Sequence, residues 1–135
     1  MTKTHRDSSG EAEIIADLVT AILAVNVWSL EKVYEMRNGL RTQGLFDLEL
    51  VASLGPETVT ERLVAAGYSL GRFPVPKMAE RLIGTAAKLV AGGTTKLRGL
   101  IASGAEKELD TFLLELKGIG PFVVSNFKLL QNIPQ

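Results

Sequence analysis

Cysteine is absent from the 135 residues of this chain. Without thiolates it has no disulfide, no zinc–thiolate site and no cysteine-ligated iron–sulfur cluster. Histidine occurs once, as His5 in a polar opening segment, a poor place for a general base. Long apolar runs are missing too. The longest, Leu18 to Val27, is interrupted by Thr20 and Asn26 and falls short of the roughly 20 apolar residues that cross a bilayer. No basic-then-apolar leader opens the chain, so a cytoplasmic protein that spans no membrane is expected.

Net charge is also lacking: fifteen Lys and Arg balance fifteen Asp and Glu. That balance conceals a division. Up to Glu61 ten acids face five bases, a charge of −5, and from Arg62 onward ten bases face five acids, a charge of +5. A basic half can bind a polyanion on a protein that is neutral overall. Solvated helix faces that happen to differ in sign would give the same count.

Strand-type alternation is missing, and the apolar residues recur at helical spacing, so an all-α, compact multi-helix bundle is expected. Residues 1–10 read as a flexible N-terminus and 11–135 as a single domain. Glu11 to Val25 carries Ile14, Ile15, Leu18, Val19, Ile22 and Leu23 on a wide apolar stripe. Leu30 to Leu40 reads as the next helix, with Asn38-Gly39 as its stop. Short helices follow over Phe46 to Leu54 and Glu57 to Ala66, then a Gly/Pro-rich loop from Tyr68 to Pro76. A long helix runs from Pro76 to Gly92-Gly93 and a short one from Lys96 to Ile101. Ser103-Gly104-Ala105-Glu106 has the spacing of a capping box. The last two helices run to Lys117 and from Pro121 to about Gln131.

Between those two lies the stretch Leu116-Lys117-Gly118-Ile119-Gly120-Pro121-Phe122-Val123-Val124. Two glycines that close together are costly in helix, so they predict a tight turn with φ > 0 and an approachable backbone. Pro121 suits the first turn of a new helix, where its missing N–H costs nothing. A helix N-terminus of this kind, with free N–H groups and the positive dipole end, accepts a phosphate. A plain αα-hairpin turn has the same pattern.

Taken with the helices before it, this motif resembles the helix-hairpin-helix base-excision DNA glycosylase superfamily, which includes endonuclease III, its adenine glycosylase relative and the 3-methyladenine glycosylases. The resemblance implies that Lys117, Gly118, Ile119, Gly120 and Phe122 bind the DNA backbone, with Lys128 adding charge nearby. It also implies a monovalent cation on the Gly118 and Gly120 carbonyls. Asn26 stands where a Gln is common in the segment that fills the gap left by a flipped base, and Trp28 is a candidate to stack there. Asn26 serves equally as a helix cap and Trp28 as core. Tyr68 either lines the base pocket or closes the core, and the core is the favoured reading.

Two departures bear on catalysis. Bifunctional members carry a Lys two residues after the second hairpin glycine to form a Schiff base with the sugar; Phe122 stands there. The family's catalytic Asp lies one helix and a loop beyond the hairpin, past Gln135, so no catalytic residue is assigned. Asp110 and Glu115 read as solvated-face charges. The expectation is a monomeric binder of double-stranded, damaged or abasic DNA in base-excision repair, a glycosylase-like protein or fragment, and nucleoid-associated if prokaryotic. A non-catalytic DNA-binding or scaffold module and an all-α interaction domain remain alternatives.

Overall fold

A computed structural model describes residues 10–24, 29–68, 75–116 and 119–131. It is all-helical, with no strand among the described residues. The helices are α1 (Gly10–Leu23), α2 (Leu30–Glu35), α3 (Arg37–Thr42), α4 (Leu48–Ser53), α5 (Pro56–Ala65), α6 (Val75–Lys88), α7 (Thr94–Ser103), α8 (Glu106–Leu114) and α9 (Pro121–Leu130). A wide turn over Leu89–Gly93 joins α6 to α7, and the helical path breaks there at Ala91 and Gly92.

α1 is the centre of the bundle. Every residue from Ile14 to Ala24 is buried, so the expected stripe is in fact a whole circumference. A helix apolar all round belongs inside the core, and the polar exceptions must then be satisfied by neighbours. Thr20 does so by donating its hydroxyl to the Ala16 carbonyl at 2.7 Å. Around α1 pack α2, α6, α7 and α9, while α5 and α4 lie on α6.

Local signals account for most of the boundaries. The Ser29 hydroxyl accepts from Lys32 N–H at 3.1 Å and starts α2. The Asp47 carboxylate accepts from Leu50 N–H at 3.2 Å and starts α4. Pro56 opens α5 from its first turn.

Two expected boundaries are corrected. The Leu30–Leu40 segment is two helices meeting at Met36, and Asn38-Gly39 does not end the second, which continues to Thr42. Gly39 serves close approach instead: a Cβ there would lie 3.2 Å from the Ala66 carbonyl oxygen. The capping box also fails. Gly104 takes a left-handed conformation that closes α7, and Ala105 stands at the start of α8 without a side-chain cap. Ser103 instead turns its hydroxyl back onto the Leu100 carbonyl at 3.2 Å, the common alternative for a serine in a last helical turn.

Candidate nucleic-acid interface

The Gly-Ile-Gly sequence does join two helices, α8 and α9, which pack on each other. α8 ends at Leu114, and the chain turns through Glu115 and Leu116, with Leu116 N–H donating to the Leu113 carbonyl at 3.0 Å. Ile119 N–H donates back to the Leu116 carbonyl at 3.2 Å. The Ile119 side chain is buried, and sequestering an aliphatic side chain of this size stabilises by roughly 1.5–3 kcal/mol. The apolar residue between the two glycines therefore fastens the turn to the core.

Gly120 is the residue before α9 and has φ −112° and ψ −177°. That is extended backbone, open to any residue, so the expected left-handed glycine is not found at this position. What Gly120 contributes is bareness. It offers no side-chain cap, and a Cβ built on it would meet no heavy atom within 4 Å. Pro121 follows in the first turn. The first intrahelical bond is Val124 N–H to the Gly120 carbonyl at 3.1 Å, so the amides of Phe122 and Val123 precede the helical ladder. The chain thus presents at Gly120 an uncapped helix N-terminus with its positive dipole end and open space beside it.

The remaining expected site residues are distributed unevenly. Asn26, Trp28, Lys117 and Gly118 lie outside the described residues, as does the side chain of Phe122. Lys128 is corrected. Its side chain is only 8% exposed and its ammonium lies 2.9 Å from the Asp110 carboxylate on α8. It stitches the two hairpin helices together instead of offering a free cation, and Asp110 is its counter-charge instead of a plain surface acid. Tyr68 is wholly buried and donates its hydroxyl to the Leu23 carbonyl at 2.7 Å. It ties the end of α1 to the turn that follows α5 and closes the core. Burial pushes its hydroxyl well above the ordinary phenol range.

Of the two carbonyls that the resemblance implies for a monovalent cation, that of Gly120 accepts from Val124 N–H at 3.1 Å, and Gly118 lies outside the described residues. Among the described residues no three or more His, Asp or Glu gather as a metal site.

Beside the hairpin, α7 and α8 border a groove of about 360 Å³ lined by Lys96, Leu100, Lys107, Glu108, Thr111, Phe112 and Glu115. The Lys96 ammonium sits 5.4 Å from the centre of the Phe112 ring. Two lysines and two glutamates leave this groove without a dominant sign.

A constellation the sequence reading missed lies at the other end of α9. Asp17, on the central helix, is only 5% exposed. Its carboxylate accepts from Arg37 Nη1 on α3 at 3.1 Å and from the side-chain amide of Gln131, which ends α9. Arg37 also lies 3.8 Å from Glu13 and its guanidinium stands 4.6 Å from the centre of the Tyr34 ring. Burial pushes the Asp17 carboxyl up from the usual carboxylate value, and the Gln131 and Arg37 contacts only partly offset it. The available signal was positional. Asp17 is flanked by Ile14, Ile15, Leu18 and Val19, and a carboxylate so placed on a buried helix requires partners from elsewhere.

Comparison of the chain with protein-family models, curated proteins and solved structures finds no match. No helix is long and apolar enough to cross a membrane among the described residues.

Proposed function

We propose that this chain grips the backbone of double-stranded DNA at a damaged or abasic site, with the turn before α9 as the phosphate contact. The observation that carries this reading is the bare start of α9: an uncapped N-terminus behind a glycine with open space before it, on a turn fixed by buried Ile119. Amides of this kind hold a phosphate oxygen by charge-assisted hydrogen bonds and position a duplex without reading its sequence. The resemblance to base-excision glycosylases supplies the lesion context and a role for Asn26 in filling the gap. No catalytic residue is assigned, and a non-catalytic DNA-binding module fits the same contact.

The pairing of Lys128 with Asp110 favours a second reading, in which the hairpin is purely architectural in an all-α interaction domain. Binding to a short duplex carrying an abasic-site analogue, against undamaged duplex, at two salt concentrations, separates the two. Gly120→Asp makes the test clean. Its extended backbone and empty surroundings accept the side chain, and Asp is a good N-cap, so the fold survives while a carboxylate occupies the phosphate position. Tighter, salt-sensitive binding to the abasic duplex that disappears in Gly120→Asp supports the clamp. Equal binding by Gly120→Asp and the parent protein rejects it.

A further inference from the structure

We infer that Asp17 and Gln131 form a clasp that sets the direction of α9 and so aims its open N-terminus, which makes both of them positioning residues for the DNA contact; this rests on the reading of that contact given above. The hydrogen bond joins positions 114 residues apart in the chain. It links the central helix to the last residue of the hairpin, and Arg37 on α3 holds the other carboxylate oxygen.

Apolar packing and the Lys128–Asp110 pair hold α9 against the core and α8, and this bond adds a directional tie from its C-terminal end to the central helix. Val123, Val124 and Phe127 are buried and pin the helix against the core, but burial of apolar surface is non-directional and tolerates sliding and rolling. A hydrogen bond to a buried carboxylate is directional. Gln131 lies ten residues beyond Pro121, so the clasp and the open end are separated by about 15 Å of helix. Over that length a tilt of about 10° moves the far end by roughly 2.5 Å, more than an amide–phosphate hydrogen bond tolerates.

The charged surroundings are few: Glu13 on α1 beside Arg37, Arg37 itself, and on α9 Lys128, which is held by Asp110. Removing the Gln131 amide frees the helix end and leaves Asp17 with Arg37 as its partner on one oxygen, a cost to stability that the folded-state control below separates from binding. Gln131→Glu does more. It sets a second carboxylate against Asp17, which repels at neutral pH and shares a proton when acidified.

The experiment measures affinity for the abasic-analogue duplex in the full chain, at a temperature where circular dichroism shows every variant folded. Alanine at Asp17 or Gln131 is expected to weaken binding about five- to tenfold, the scale of one ordinary hydrogen bond. Asp17→Asn, which pairs with an amide in either orientation, is expected to stay within about twofold of the parent protein. Gln131→Glu is expected to bind weakly at pH 7.5 and to recover at pH 5.5, a reversal that a merely structural loss does not produce. Parent-like binding by Gln131→Ala and Gln131→Glu overturns the clasp. If the parent protein itself binds no duplex, the DNA reading is what fails, and amide hydrogen exchange decides the clasp. Faster exchange in α9 than in α6 on Gln131→Ala then supports it, and unchanged exchange overturns it.

Discussion

At its first residue α9 is reached through an extended glycine with no side chain to cap it, whereas its last turn carries Lys128 and Gln131, which reach two different helices. Both ends belong to one ten-residue helix, so propensity and length do not distinguish them. Their polar groups do. The C-terminal end carries a cation near the negative end of the dipole and an amide on a buried carboxylate, while the N-terminal end leaves amides without a side-chain acceptor. A helix that had only to pack would gain a few tenths of a kcal/mol from a capping Ser or Asp in place of Gly120. Forgoing that while securing the opposite end is the pattern expected where the start of a helix serves an external anion.

The largest expected effect tests whether the contrast rides on a common core. Phe127 is fully buried, and Phe127→Ala is expected to cost roughly 3–5 kcal/mol, read as a lowered denaturation midpoint with an unchanged m-value. A change below about 1 kcal/mol would mean that α9 is held by its ends and not by its buried face. Next comes the open end. Gly120→Asp is expected to raise stability by up to about 1 kcal/mol through capping and the dipole, while duplex affinity falls roughly ten- to a hundredfold. Stability and binding moving in the same direction would contradict a free helix start.

Asp110→Asn addresses the closed end. Lys128 is then left nearly buried beside a neutral group, and since Asp110 is 41% exposed, the loss is expected near 1 kcal/mol, well below that of a fully buried pair. The same change frees a cation on the hairpin, so affinity for duplex is expected to rise as stability falls, with a steeper salt dependence. Unchanged salt dependence would show that Lys128 points away from the contact.

Legibility in the sequence divided along the same line. Elements defined by apolar period and by Gly or Pro punctuation were readable: α5 between Pro56 and Gly67, α6 read from Pro76 and found one residue earlier at Val75, and α9 from Pro121. These signals are local, acting within a few residues of the boundary they set. Signals that depend on tertiary approach were not readable. Asn38-Gly39 looks like a stop until Ala66 is brought against it. Ser103 and Glu106 have capping-box spacing, yet Gly104 turns left-handed between them. At the candidate interface, the helix start and its proline were legible, whereas the fate of Lys128 was not. Asp110 and Lys128 are eighteen positions apart, and only the folding back of the hairpin brings them together.

The smallest expected effect concerns Asp17, and its sign is the informative part. The folded-state carboxyl titrates above its ordinary value of 3.8, chiefly because it is buried. Between that value and the raised one the folded protein binds more protons than the unfolded chain, so this group's contribution to stability declines as pH rises through that interval. Asn at position 17 resembles the protonated carboxyl and does not titrate. Asp17→Asn is therefore expected to match the parent protein's melting temperature near pH 3.5 and to exceed it at pH 7. The opposite result, a variant less stable at pH 7 than at pH 3.5 relative to the parent, would mean that the Arg37 and Gln131 contacts outweigh the burial cost. The carboxylate would then be a net support of the fold, and the closed end of α9 would be stronger than its burial implies. With the expected result, Asp17 contributes direction and not stability, which is the role that a bare, aimed helix start requires from its far end.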